Sequence, residues 1–178
     1  MRRFIILALL FLLTACGSSG RGDRAGGYVG GSVSLECVPF ARALSGVYLY
    51  GPAGDWWDQA QGRYRQSLTP EVGGVLVLAR TDRLRSGHVA VVSKVISDRH
   101  ILVTQANWVR HRVTEDQPVI DISRRGDWSA VRVWWPPSGQ MGLAEYPALG
   151  FIQTGRPASH ETLSARTQGA IQVALAGN

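Results

Sequence analysis

Three short apolar runs confine what this chain can fold into: Val75 to Ala79, His88 to Ile96 and Ile101 to Trp108. Each is rich in β-branched residues, bounded by Gly, Ser, Asp or Pro, and too short for a buried helix, so each reads as a strand. Only Ser97-Asp98-Arg99-His100 separates the second from the third, which predicts a hairpin with Asp98-Arg99 as a two-residue loop. In that register Ser97 faces His100, Val92 faces Gln105 and Ala90 faces Asn107. Alternate residues share a face, so His88, Gln105 and Asn107 project from the same side. Val119 to Ile122, Ala130 to Trp135 and Leu149 to Ile152 read as further strands, the middle one stopped by Pro136-Pro137.

Ahead of the strands the period changes. Cys37, Phe40, Ala41 and Leu44 fall at i, i+3, i+4 and i+7, one face of a helix that Gly46 ends. Proline is tolerated only in the first helical turn, where its missing N–H would be unpaired anyway, so Pro39 puts Cys37 in or beside that turn. A second helical stretch, Ala53 to Arg63, carries Trp56, Trp57 and Ala60, and Thr69-Pro70 breaks the chain before the sheet. With 178 residues, 45% of them apolar, there is room for one ordinary domain and short termini. The expected fold class is α+β, with the Cys37 helix packed on an antiparallel sheet.

Residues 1–16 carry Arg2-Arg3, an apolar run from Phe4 to Leu13, and Leu13-Thr14-Ala15-Cys16. Basic residues, a short apolar stretch and small residues before a cleavage point describe a secretory signal, and the run is too short to span a bilayer. Leu13 to Cys16 also resembles the lipobox of bacterial lipoproteins, which implies acylation of Cys16 and a lipid anchor in the membrane. Gly17 next to it resembles lipoproteins sent to the outer membrane, facing the periplasm. Residues 17–31, rich in Gly, Ser and Arg, are expected to be a flexible tether, residues 32–152 the domain, and residues 153–178 a mostly disordered tail, with a frayed helix over Leu163 to Leu175 as the alternative.

Net charge is +6, and without Arg2 and Arg3 it is 17 basic against 13 acidic. The arginines are scattered and Lys94 is the sole lysine, which gives nucleic acid no basic tract to bind. No His/Cys/Asp cluster has metal-ligand spacing, and no metal or cofactor is expected. The two cysteines constrain each other. Lipid on Cys16 leaves Cys37 without a disulfide partner in an oxidising compartment, and a thiol kept free there suggests a use for it; a Cys16–Cys37 disulfide is the alternative.

A helix N-terminus favours thiolate, and its free N–H groups can also hold an oxyanion, so Cys37 is the candidate nucleophile. Of the four histidines, His88 opens an apolar strand after Ser86-Gly87, whereas His100 lies in a turn, His111 in a charged stretch and His160 in the tail. His88 is the candidate base, and the hairpin register offers Gln105 or Asn107 to orient it.

Glu36 to Arg42, Trp56-Trp57 with Ala60, Pro70 with Gly73-Gly74, Ser86 to Val92 and Gln105 to Trp108 stand in an order and spacing that resemble the CHAP domains, cysteine- and histidine-dependent amidohydrolases and peptidases related to the NlpC/P60 and papain-like enzymes. The resemblance covers about residues 30 to 110. It implies a papain-like CHAP fold, Cys37 as nucleophile working as a thiolate beside protonated His88, and peptidoglycan as the substrate, cut at a stem peptide bond or at the bond to muramic acid. Relatives often carry Glu at the position of Gln105 and Gln at the position of Glu36. Gln105 can accept the imidazole N–H but cannot offset its charge. The Glu36 side chain is expected to point away from the oxyanion, leaving the Cys37 N–H as donor. Trp108 and Trp57 are candidate substrate-binding walls, with core packing as the plainer role. A catalytically silent, wall-binding relative that regulates another hydrolase is the alternative function.

Overall fold

The computed structural model describes residues 26–156 and 158–177. The signal segment, Cys16 and residues 17–25 of the expected tether lie outside the described residues. The elements run β1 (Tyr28–Val29), α1 (Cys37–Ser45), α2 (Trp56–Ala60), β2 (Arg65–Ser67), β3 (Val75–Leu78), β4 (His88–Ser97), β5 (His100–Ala106), β6 (Val113–Asp121), β7 (Ala130–Trp135), β8 (Gln140–Met141), β9 (Tyr146–Gln153) and α3 (His160–Ala176).

β6, β5, β4, β3, β9 and β7 pair in that order, all antiparallel, and β7 returns to β6 through Val119↔Val133 and Asp121↔Val131. This ring is a closed six-stranded barrel, with β1, β2 and β8 added on β6, β9 and β7. The expected papain-like arrangement, a helix packed on an antiparallel sheet, is therefore corrected: the sheet closes on itself into a barrel and the helices are few. Closure removes exposed edges, whose unpaired N–H and C=O groups would otherwise invite aggregation. The strands that close it, β7 and β9, come from the segment after the hairpin, and nothing in their own residues names their partners.

Alternation along each strand splits the core in two. Leu76, Leu78, Ala90, Val92, Ile101 and Val103 join Trp128, Val131, Val133 and Phe151 inside the barrel. Val75, Val77, Val89 and Val91 face outward and are covered by Phe40, Ala41 and Leu44 of α1 and by Leu163, Ala170, Ile171 and Ala174 of α3. All four residues of β3 are buried, because the strand is covered on both faces.

Both expected loose ends are corrected. Tyr28 and Val29, placed in the tether, form β1 against Thr114 and Val113. The tail, expected to be mostly disordered, forms the 17-residue helix α3. Ser159 caps it by accepting from the Thr162 N–H at 3.2 Å, and Leu163, Thr167, Ala170, Ile171 and Ala174 make the buried stripe that docks it. Its small apolar residues gain their burial only once α1 and the barrel wall are in place.

Candidate active site

α1 begins at Cys37. Glu36 before it is extended (φ −82°, ψ 159°), and Gly46 ends the helix in a left-handed turn whose N–H returns to the Arg42 carbonyl at 2.9 Å. The buried stripe of α1 holds the helix on the barrel wall, which sets Cys37 at one end of it. His88 opens β4 at the same end. Gly87 makes that turn possible: its φ is +70°, and a Cβ there would lie 2.5 Å from the Gly54 nitrogen and 2.8 Å from the Leu78 carbonyl oxygen.

Cys37 and His88 line a single cleft of about 390 Å³ together with Glu36, Asn107 and the loop 82–87. His88 is 4% exposed, and its Nε2 lies 2.9 Å from Gln105 Oε1. With Nε2–H donating to that carbonyl, Nδ1 is left as the basic nitrogen. The Trp108 ring packs on the imidazole at 5.1 Å between centroids, tilted by 58°.

Burial dominates both titrating groups. It pushes His88 down to about 4, against the upward pull of the Gln105 hydrogen bond and the Glu36 carboxylate. It pushes the Cys37 thiol up, helped by the negative charge of Glu36, while backbone N–H groups of Val89, Val38 and Cys37 itself favour the thiolate and only partly oppose the rise. Both shifts favour the uncharged forms, a thiol at Cys37 and a neutral imidazole at His88. These directions run against the expected thiolate–imidazolium pair, because a desolvated site disfavours both charges.

The hairpin turn is as expected, Ser97 facing His100, but the register slips twice, so that Val95 faces Ile101 and Val92 faces Val103. Two one-residue slips restore the original parity, which is why His88 and Gln105 still share a face although the expected pairing of Val92 with Gln105 is displaced. Asn107 does not share that arrangement. It sits past the end of β5 with φ +59°, donates from Nδ2 to Glu36 Oε2 at 2.8 Å and accepts the His111 N–H on Oδ1 at 2.9 Å. Of the two candidates, Gln105 therefore holds the imidazole, and Asn107 ties the loop after β5 to the residue preceding Cys37. Glu36, expected to turn away from the oxyanion, accepts from Asn107 and is among the residues that line the cleft.

Trp108 reaches the site, its indole N–H donating to the Trp134 carbonyl at 3.1 Å. Trp57 is not brought to the cleft. It packs over Gly150, where a Cβ would come within 2.7 Å of its ring, and Trp56 is fully buried in the outer core. Arg83 and Arg85 of the cleft loop escaped sequence reading, because exposed arginines in a turn carry no periodic signal. Among the described residues, no three His, Cys, Asp or Glu side chains gather as metal ligands.

A small β-barrel with helices on its outer wall, holding one thiol and one imidazole in a cleft at its end, is the class of domain these features define. The CHAP domain family model matches residues 26–107, from β1 through β5 to Asn107. CHAP domains are in general cysteine- and histidine-dependent amidohydrolases or peptidases that act on peptidoglycan. No curated protein matches the sequence. Strands β6 to β9 and α3 lie beyond the matched residues.

Proposed function

We propose that the protein is a peptidoglycan hydrolase that cuts an amide of the stem, or the amide joining stem to muramic acid, through a thioester on Cys37. The observation that carries this reading is the cleft shared by Cys37 and His88, in which Gln105 occupies Nε2 of the imidazole and leaves Nδ1 free to take the thiol proton. Because burial favours the uncharged form of both groups, His88 removes that proton as the sulfur attacks the carbonyl rather than beforehand. Helix-start N–H groups of Cys37 and Val38 are the donors available to the oxyanion. His88, now protonated, delivers the proton to the leaving amine, and neutral again it activates the water that releases the acyl group.

Anchoring by acylated Cys16 in the outer membrane, facing the periplasm, belongs to the same proposal and rests on the sequence of residues 1–17. Cys16→Ser is expected to move the protein from the membrane fraction to the soluble one.

A second reading, a silent module that binds the wall and regulates another hydrolase, is favoured by one observation: the Glu36 carboxylate lines the cleft and opposes thiolate formation. Incubating the chain with purified sacculi under reducing conditions, beside Cys37→Ala, separates the two. Release of new termini by the unmutated protein alone supports hydrolysis, and mass spectrometry of those termini identifies the bond. Absence of release, with wall binding retained, selects the silent module.

A further inference from the structure

Next to the cleft lies a second groove of about 460 Å³, within the range of small-ligand sites. Trp108 and Tyr146 meet in it edge to face at 5.1 Å, and Trp135 forms a wall. Apart from Arg83 and Trp108, everything that lines it comes from residues 133–146, beyond the family match. The groove is continuous with the cleft in two ways. Arg83 lines both, and Trp108 packs against both His88 and Tyr146, at 5.1 Å between ring centroids in each case.

We propose that this groove is a sugar-binding subsite, which holds the glycan strand of the substrate while its stem reaches Cys37. The inference rests on the peptidoglycan reading above and assigns to the segment after β5 the part of the substrate that the cleft itself does not hold. A pyranose ring has an apolar C–H face and a polar hydroxyl edge, so it fits a site with aromatic faces and a polar rim. The groove has that composition: Trp108, Tyr146 and Trp135 supply faces, and Arg83, Ser138 and Gln140 supply polar groups.

Two features show a surface arranged in advance. Trp135 remains 41% exposed and Leu143 87% exposed, which leaves apolar area in the groove open to a ligand. Trp135 is also held in place. It pairs with Gln140 in a tight hairpin through Pro136-Pro137-Ser138-Gly139, and its carbonyl accepts the Ser138 hydroxyl at 3.2 Å and the Gly139 N–H at 3.1 Å. The prolines fix the backbone of that turn, so little freedom is lost when a ring stacks on the indole.

The test uses the full chain carrying Cys37→Ala, which binds without cutting, and glycan strands from sacculi stripped of their stems. Saturable binding is expected, weakened roughly tenfold by Trp135→Ala and less than threefold by Trp135→Phe, which keeps an aromatic face. Free stem peptide is expected not to displace the strands. No binding, equal loss in both Trp135 variants, or displacement by stem peptide overturns the proposal. Its fate is separable from that of the hydrolase reading: strands bound by a protein that never cuts sacculi sink the hydrolase alone, and sacculi cut without strand binding sink the subsite alone.

Discussion

At the level of single residues the site is governed by desolvation. Glu36 is the residue that most opposes the chemistry of Cys37, since its charge adds to burial in keeping the thiol protonated. Glu36→Gln removes that charge while its side-chain carbonyl can still accept from Asn107, so iodoacetamide alkylation of Cys37 at pH 8 is expected to accelerate. An unchanged or slower rate would show that the carboxylate does not act on the sulfur. His88 predicts a pH dependence. Its folded pKa, about 4, lies below its ordinary 6.5, so the unfolded chain takes up the proton first as the pH falls. Stability present above pH 6.5 is thus lost between pH 6.5 and 4, by roughly 3 kcal/mol. Urea midpoints followed across that window are expected to fall steeply for the unmutated protein and to be flatter for His88→Asn.

Among the elements, the turn from β3 into β4 holds the imidazole, and it depends on one backbone conformation. Gly87→Ala forces a Cβ into the Gly54 backbone at a positive φ, where neither partner is a side chain able to swing away. A loss of at least about 2 kcal/mol is expected, read as a melting temperature lower by roughly 5–10 °C. The same elements show what was legible in advance. α1 was placed from Cys37 to its Gly46 stop because helical periodicity, a proline and a terminal glycine are local signals. Strand β7 was found from Ala130 to Trp135 for the same reason. The first part of β6, Val113 to Pro118, was missed: Glu115, Asp116, Gln117 and Pro118 look like a loop until their neighbours bury Gln117 and pair the backbone. The two slips between β4 and β5 were invisible as well, since strand pairing in a curved wall depends on the whole ring.

For the whole molecule, closure decides stability. Residues 26–107 alone supply β1 to β5, with β3 and β5 lacking their partners β9 and β6 and the barrel interior lacking Trp128, Val131, Val133 and Phe151. That fragment is expected not to fold: it should show no near-ultraviolet circular dichroism, and its Cys37 should react with alkylating agents at the rate of an ordinary exposed thiol. A native-like spectrum from it would refute the dependence on closure. The sequence by itself determined the chemistry-bearing groups and their local settings: Cys37 at a helix start and His88 at a strand start. These follow from turn residues and from periods of 2 and 3.6, which a short stretch of chain contains entirely. Only the tertiary structure decided that the sheet is a barrel, that Gln105 rather than Asn107 meets the imidazole, that Asn107 holds Glu36 at the cleft, and that burial favours the uncharged thiol and imidazole. Those outcomes depend on partners distant in the chain and on the exclusion of water around them, and neither is a property of any local segment.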